Sequence, residues 1–264
     1  MGMIRTAFVL GLAALAAPAA AQLDDPVARE ARWAEVRAAI FGDKPVTATT
    51  GVITLDAPVR ADDAALVPVT LTLHDPAIVA VHLVIDENPS PYAAHLVFGP
   101  AADRHAVTFR VRVNGYTNMH AIAEYADGRL VTTTRFVKAA GGCSAPIGVT
   151  DEDAMQGMGE MRARFDRAAK GQPIPAVVMV RHPNFTGMQM NQITRLTTPA
   201  RYVERIEVKS GERSVFTLDG DIALSANPAI GFAFAPRTGE ILHVTATDSA
   251  KARWEHSFAI TQTP

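Results

Sequence analysis

The sequence predicts an all-β fold of two antiparallel sandwiches, and three observations support that prediction. From Gly51 onward, apolar residues alternate with polar ones at period two in short segments, as in strands with one buried face. Glycine, proline and asparagine separate these segments at short intervals. The strands of the first half follow one another without the helical crossovers that parallel strands require. We therefore expect two immunoglobulin-like antiparallel β-sandwiches, joined by a linker helix and preceded by a short N-terminal helix.

Residues 1–21 have the features of a signal peptide. Arg5 supplies the positive charge, residues 7–17 form an uncharged apolar stretch, and three alanines at 19–21 fit the small-x-small cleavage rule. The apolar stretch is too short to cross a bilayer, and no later stretch is long enough. We expect cleavage before Gln22, export to the periplasm and no insertion into the membrane.

The N-terminal helix is predicted from its caps and from one apolar stripe. Asp25 can cap the first turn, and Pro26 suits the first helical position. Gly42 can end the helix in a left-handed turn. Between these caps a narrow apolar stripe recurs every three or four residues, at Trp33, Val36 and Ile40.

The first sandwich and its helix are expected over residues 22–143, ending in an arm that carries a cysteine. Turns are predicted at residues 88–91, at 99–100 and in the Ala-Asp-Gly hairpin at 126–128. Four segments with period-two alternation are predicted to be strands, at residues 67–73, 79–85, 107–113 and 121–125. A return strand follows the hairpin, at residues 130–137.

A linker is predicted over residues 144–174, with a helix at about 150–170, before a second sandwich over residues 175–264. Thr150 or Asp151 can cap this helix, and basic residues toward residue 170 complement its negative end. Strands then resume at residues 177–180, 203–208, 215–218, 230–234, 241–247 and 254–260.

The net charge does not favour two classes of partner. A formal net charge of −2 gives no electrostatic reason to expect binding to nucleic acid or to an anionic membrane surface. The balance of 48% hydrophobic and 20% charged residues is that of an ordinary globular protein.

The chain has one cysteine, Cys143, and it cannot form an internal disulfide. Gly141, Gly142 and Ser144 surround it and offer little to a hydrophobic core, which favours an exposed, reactive thiol on a glycine arm. Lys138 is a candidate to stabilise its anion, although a solvated lysine explains that residue equally well. The alternative is a buried cysteine that acts as a small hydrophobe. A hydrolase nucleophile would need a base and an orienting group, and the sequence places neither beside Cys143.

Two groups of segments resemble known families. Residues 105–143, with the Asn114–Asn118 loop, the 124–128 hairpin, Phe136-Val137-Lys138 and Gly141-Gly142-Cys143, resemble SoxY, and the 86–91 turn fits as well. The second half resembles SoxZ at His182-Pro183, Thr186-Gly187, the 206–216 hairpin, and residues 225–228 and 232–234. The whole chain therefore looks like a fused SoxY–SoxZ-like protein, of the type associated with quinoprotein dehydrogenases.

The resemblance implies a carrier rather than a catalyst. Cys143 would hold a sulfur-containing or other thiol-reactive intermediate covalently while partner enzymes of the periplasm act on it, as in thiosulfate oxidation. Those partners would be Sox-type cytochromes or a quinoprotein dehydrogenase, and no cofactor is implied. One departure is that SoxY ends shortly after Gly-Gly-Cys-Gly-Gly, whereas here Gly-Gly-Cys-Ser-Ala-Pro continues into a further domain. A non-covalent adaptor for a quinoprotein dehydrogenase is the alternative reading.

Methionines and histidines raise the question of a metal. Met155, Met158 and Met161 recur every three residues of the predicted linker helix, which suggests either a Cu(I) site or, as we favour, an apolar stripe. Met188 and Met190, which follow His182, are interpreted in the same way. The eight histidines show no spacing typical of a zinc or copper site, so no metal site is predicted. The Asn114–Asn118 loop is either a plain turn or a support for the base of the cysteine arm.

Overall fold

The structure is a computed structural model that describes residues 25–169, 171–191 and 194–260. The predicted signal peptide lies outside these residues. Two helices and fifteen strands are described: α1 (Pro26–Phe41), β1 (Val46–Ala48), β2 (Ile53–Asp56), β3 (Val67–Leu73), β4 (Ile78–Ile85), β5 (Tyr92–Phe98), β6 (Ala102–Val111), β7 (Thr117–Tyr125), β8 (Leu130–Val137), α2 (Asp151–Met155), β9 (Met161–Phe165), β10 (Ile174–Val180), β11 (Val203–Ser210), β12 (Arg213–Gly220), β13 (Ala229–Phe234), β14 (Ile241–Asp248) and β15 (Arg253–Ala259).

The strands form two sheets, which confirms the predicted all-β class. One sheet has nine strands in the order β1-β8-β7-β4-β5-β12-β11-β14-β15, and the other has six in the order β2-β3-β6-β13-β10-β9. The strand pairs of the described residues are antiparallel except β1 with β8. Strands with strict period-two burial, such as β3, contribute their inner face to the core between the sheets.

The two halves of the chain share both sheets. In the larger sheet β5 of the first half pairs with β12 of the second, with Phe98 opposite Phe216 and Ala94 opposite Gly220. In the smaller sheet β6 pairs with β13. One cluster of buried apolar side chains runs through both halves. Each half thus covers an edge strand of the other, which hides hydrogen-bonding edges that would otherwise face solvent.

Helix α1 forms as predicted and packs on the outer face of the nine-stranded sheet. The Asp25 side chain accepts a hydrogen bond from the Val27 amide, and Gly42 ends the helix at a φ of 61°. Trp33 and Val36 are buried. The Trp33 indole stacks on the imidazole of His120, with ring centroids 3.7 Å apart.

The linker region differs from its prediction. Helix α2 begins at the predicted cap, where the Thr150 hydroxyl accepts from the Asp153 amide, but it ends at Met155. Two glycines with positive φ follow, Gly157 and Gly159, and the chain then enters β9 and pairs with β10. The predicted helix at 150–170 is therefore wrong beyond Met155, because these glycines break it and the edge of β10 recruits a strand.

The methionine stripe predicted on that helix does not form. Met155 ends α2 and is partly exposed, Met158 lies in the turn, and Met161 is buried in β9. The three thioethers therefore do not share a helix face, and the Cu(I) interpretation loses its geometric basis. Among the residues that the structure describes, no helix combines the length and the apolar character needed to cross a lipid bilayer.

Candidate functional site

Cys143 lies in a tight loop folded against the end of β6, and its side chain is 0% exposed. The Gly141 amide donates to the carbonyl oxygen of Asn114 at 2.9 Å, and the Gly142 amide donates to that of Val113 at 3.0 Å. These two bonds dock the loop on the segment that follows β6. The predicted exposed thiol is therefore wrong for this structure, because the arm pairs with backbone from residues 113–114 instead of extending into solvent.

Gly141 and Gly142 are each required in the loop, but for different physical reasons. Gly141 has a φ of +76°, a conformation that residues with a Cβ rarely adopt. A Cβ on Gly142 would overlap the carbonyl oxygen of Ala64 and would lie 2.7 Å from that of Val113. The Gly-Gly pair thus gives the loop its turn and its close backbone approach. In this structure the pair therefore serves the packing of the loop.

The second half of the chain closes the other side of the loop. The Thr186 hydroxyl donates a 2.6 Å hydrogen bond to the main-chain carbonyl oxygen of Cys143. Asn184, at a positive φ of 46°, donates its side-chain amide to the carbonyl oxygens of Leu224 and Ser225. Both residues are buried. Cys143 therefore lies at the junction of the two halves.

A buried guanidinium is the charge next to the thiol. Arg112 is 2% exposed, and its Nη1 and Nη2 atoms donate to the carbonyl oxygens of Gly142 at 3.3 Å and Asn184 at 3.4 Å. Its Nε atom has no hydrogen-bond partner within the described part of the chain. Burial lowers the pKa of Arg112, whereas the nearby Cys143 and Asp63 act in the opposite direction. The site therefore holds one cation that is incompletely paired.

Burial also determines the state of the thiol. Desolvation raises the pKa of Cys143 from 9.0 to about 11, and Arg112 opposes that rise only in part. The thiol is therefore neutral at pH 7 in this closed conformation. The suggested role of Lys138 as the anion-stabilising charge is not what the geometry shows, since its ammonium lies near the Tyr116 and Phe136 rings, at 5.8 Å and 5.7 Å.

The turn at residues 86–91 supports the base of the loop. The Asn88 side-chain amide donates to the Arg112 carbonyl oxygen at 2.8 Å, and its Oδ1 accepts from the Asn114 amide at 2.9 Å. Asn114 in turn accepts from Gly141. The interpretation of the Asn114–Asn118 loop as a support for the arm is thus confirmed by this contact.

The chain beyond the cysteine is much less tightly held. Ser144 is exposed, and its hydroxyl donates to the Gly141 carbonyl oxygen at 3.3 Å. Gly148, at a φ of +84°, has nothing within 4 Å of the place where a Cβ would stand. A cleft of about 510 Å³ separates this exit segment, including Ile147 and Val149, from Phe185 and Gln189. The segment that follows Cys143 is therefore less constrained by contacts than a paired strand would be.

The sequence identified Cys143, Gly141, Gly142 and Ser144, and the structure places all four in this one loop. The roles of Arg112, Asn88 and Thr186 could not be predicted from the sequence. Arg112 stands between two apolar residues at the end of a strand, where alternation points to a solvated face. The resemblance did mark Thr186 and the 86–91 turn, but it gave them no contact with the cysteine.

Comparisons with known proteins found two family models and several solved structures that match the chain. Residues 37–143 match the family model of sulfur oxidation protein SoxY, and residues 161–259 match that of sulphur oxidation protein SoxZ. Among solved structures, the sulfur carrier protein SoxY from Chlorobium limicola f thiosulfatophilum is 27% identical, with 42% of this chain and 94% of that chain covered and a TM-score of 0.37. No curated protein matches the chain.

Two glycosidase structures are also similar over a longer stretch but only weakly. A beta-glycosidase from Bacteroides vulgatus is 8% identical, covering 80% of this chain and 25% of its own, at a TM-score of 0.23. A glycosyl hydrolase family 2 member from Bacteroides cellulosilyticus DSM 14838 is 12% identical, with 89% of this chain and 30% of that chain covered and a TM-score of 0.23. The two family models fall on the two halves that share the sheets, and the chain is therefore a SoxYZ-like protein in which a SoxY domain and a SoxZ domain are fused.

Proposed function

We propose that this protein is a periplasmic carrier that holds a sulfur-containing intermediate covalently on Cys143 while partner redox enzymes act on it. The single observation that carries the proposal is the placement of Cys143: it follows a Gly-Gly turn at the junction of the SoxY and SoxZ domains, beside the buried Arg112. The periplasmic location is supported by the signal-peptide features of residues 1–21. Sox-type cytochromes or a quinoprotein dehydrogenase are the partners in this proposal.

Carriage requires the loop to open. With a pKa of about 11, only about one thiol in 10,000 is ionised at pH 7, and the closed loop leaves no path to it. Opening breaks the bonds of Gly141 to Asn114, Gly142 to Val113, and Thr186 to Cys143. Each such bond contributes about 0.5–1.5 kcal/mol net, so the open loop lies a few kcal/mol above the closed one. A partner that binds the open loop supplies that difference.

The loading step is a thiolate substitution on oxidised sulfur. The Cys143 thiolate attacks one sulfur of a disulfide-like bond in the donor, a new S–S bond forms, and the leaving sulfur departs with the bonding electron pair. With tetrathionate as donor, the leaving group is thiosulfate and Cys143 keeps a thiosulfonate group. The thiol proton passes to solvent, and no further oxidant is needed.

Arg112 suits such a cargo because the loaded cysteine carries a negative charge. A buried guanidinium whose Nε lacks a hydrogen bond, among the residues described, can donate to sulfonate oxygens. The reduced thiol leaves this cation incompletely paired in the closed loop. We infer that the loaded loop closes over Arg112 with better charge balance than the empty one.

Mass spectrometry of the tag-free mature chain tests the proposal. After incubation with tetrathionate, and separately after purification from the native periplasm, we expect an adduct on Cys143 that dithiothreitol removes. The Cys143→Ser variant is the control and should remain unmodified. An unmodified thiol in both preparations, and in a variant whose loop is open, would falsify covalent carriage.

The complete burial of the thiol favours a second candidate, a non-covalent adaptor for a quinoprotein dehydrogenase. In that case Cys143 is a structural residue and the SoxY–SoxZ surface does the binding. The Cys143→Ser variant in the host separates the two functions. Full retention of partner-dependent oxidation supports the adaptor, and its loss with the fold intact supports the carrier.

A further inference from the structure

Three side chains that are far apart in sequence meet on the outer face of the nine-stranded sheet. His82 on β4 lies directly opposite His95 on β5, and Glu124 extends from the neighbouring strand β7. The two imidazoles are stacked, with centroids 4.4 Å apart and planes 2° from parallel. The potential ligand atoms of the three residues all lie within 4.8 Å of one another.

From this geometry we propose that His82, His95 and Glu124 form a binding site for a divalent transition-metal ion, with Zn²⁺ as the best match. Two imidazole nitrogens and one carboxylate form the ligand set of many Zn²⁺ and Fe²⁺ sites. The positions 82, 95 and 124 have no spacing typical of a metal site, so this set is not predicted from the sequence. The inference stands apart from the proposed carrier function and from Cys143.

One candidate ligand atom has no hydrogen bond to any described residue. The Nε2 atom of His95 is buried and, within the described residues, has no hydrogen-bond partner, although it lies 4.0 Å from Glu124 Oε2. His82 Nε2 lies 3.0 Å from the same oxygen. Tetrahedral ligands at about 2.0–2.1 Å from Zn²⁺ are about 3.3 Å apart, so His95 Nε2 has to move closer to Glu124 when the ion binds. The two rings also have to tilt out of their parallel stack, because each imidazole must direct its nitrogen lone pair at the ion.

The surroundings hold one histidine in place and leave the other ligands reachable. His82 Nδ1 lies 2.7 Å from the Tyr92 hydroxyl, and the Phe41 ring meets the same imidazole edge-on. In the tautomer that carries its proton on Nδ1, His82 donates a hydrogen bond to the Tyr92 hydroxyl oxygen, and the lone pair of Nε2 is available to an ion. The side chains of His95 and Glu124 are 25% and 27% exposed, which leaves an entry path and room for a water ligand.

Charges of both signs face the cluster. Glu124 and Asp219 are negative neighbours of His95, and Lys44 is a positive neighbour of His82. The mixed nitrogen and oxygen set disfavours Mg²⁺ and Ca²⁺, which prefer oxygen ligands alone.

Titration calorimetry with ZnCl₂ on the tag-free mature chain tests this site, with Co²⁺ absorption as an independent report on coordination. We expect one tightly bound ion per chain, unaffected by excess Mg²⁺, and an increase in the melting temperature with Zn²⁺. The variants His95→Asn and Glu124→Gln should each weaken binding by about tenfold or more, because each removes one ligand. His105→Ala is the matched control, an exposed strand histidine that should change nothing.

Circular dichroism of each variant establishes that the fold is retained. Both substituted side chains are partly exposed and close in volume to their replacements, so we expect folded proteins. The proposal is overturned if the wild-type chain fails to bind Zn²⁺, or if His95→Asn and Glu124→Gln bind it with the same affinity as the wild type. Loss of binding in His105→Ala instead would assign the ion to another part of the surface and would overturn it as well.

Discussion

Thr186 and Cys143 lie 43 residues apart and are joined by a 2.6 Å hydrogen bond from the threonine hydroxyl to the cysteine carbonyl oxygen. The bond links the SoxZ domain to the one thiol of the SoxY domain. Both residues are buried, so water does not compete for the bond. The SoxZ domain therefore helps to hold the cysteine loop closed. A partner that moves residues 184–189 would break this hydrogen bond and release the loop.

The first prediction concerns the hydrogen bond between Thr186 and Cys143. In Thr186→Val the shape is kept and the donor is lost, which leaves the Cys143 carbonyl oxygen buried and unpaired at a cost of about 1–3 kcal/mol. We expect the rate of Cys143 alkylation by iodoacetamide to rise by roughly tenfold, since the closed loop loses that free energy relative to the open one. Thr245→Val, a substitution on β14 away from the loop, should leave the rate unchanged.

The second prediction concerns the close approach at Gly142. A methyl group there would overlap the Ala64 carbonyl oxygen, which is held in place by a 2.8 Å hydrogen bond from the Val113 amide. Gly142→Ala should therefore expel the loop and expose the thiol, with alkylation close to the rate of the unfolded chain while the sheets stay intact. The measurement is alkylation followed by mass spectrometry, with circular dichroism as the check on the fold.

Gly148→Ala is the matched control for that experiment. It lies in the same loop with a φ of +84°, but it has open space where the methyl would stand. It carries the strain of a left-handed residue without the clash. A slow, wild-type-like rate in Gly142→Ala would contradict the close packing of Gly142 on the Ala64 carbonyl oxygen.

The fold was largely predictable because it depends on local patterns, and the site was not. Alternation identified β3 and its neighbours, and the caps Asp25 and Gly42 identified α1. The glycine arm pointed to Cys143, yet the groups that bury it are remote in sequence. The overlap at Gly142 involves Ala64, and the charge comes from Arg112; no spacing rule connects these positions.

The linker shows the opposite failure, in which a local pattern was present and misleading. Acidic residues followed by basic ones at residues 151–170 fit a helix, and so does the methionine spacing. Gly159 instead adopts a φ of +88° against the Trp254 indole, and β9 completes the edge of the six-stranded sheet. Tertiary pairing outweighed helix propensity, which amounts to only a few tenths of a kcal/mol per residue.

The third prediction is the pH dependence of thiol reactivity. Because burial raises the pKa of Cys143 to about 11 in the closed loop, the alkylation rate of the wild type should still be rising about tenfold per pH unit at pH 10. In Gly142→Ala the rate should level off near pH 9, the value of a solvated thiol. A wild-type profile that levels off near pH 9 would contradict the buried thiol.

The fourth prediction is the matching effect on stability. The folded pKa of Cys143 is raised, so its contribution is fully present below the unfolded pKa near 9 and is lost as the pH rises through about 11. Urea unfolding of the wild type should therefore show a free energy that falls across this window, relative to Cys143→Ala. Equal pH dependence of the two chains between pH 9 and 11 would argue against the closed loop in solution.

The fifth prediction separates the charge of Arg112 from its structural role. Arg112→Met removes the hydrogen bond to Gly142 as well as the cation, so it opens the loop toward every reagent. The informative quantity is therefore the ratio of two rates at Cys143, for anionic tetrathionate and for neutral iodoacetamide. Loop opening affects both rates alike, whereas the missing cation slows only the anionic reagent. We expect the ratio to fall by roughly tenfold at low ionic strength.

Two variants bracket that result. Arg112→Lys keeps the charge without the planar fork, so it should retain most of the ratio even where the loop is loosened. Arg110→Met removes an exposed arginine on β6, two residues before Arg112, where solvent screens the charge, and it should leave the ratio unchanged. If Arg110→Met lowers the ratio as much as Arg112→Met, general surface charge guides the anion. If only Arg112→Met lowers it, the buried guanidinium is the group that receives an anionic cargo on Cys143.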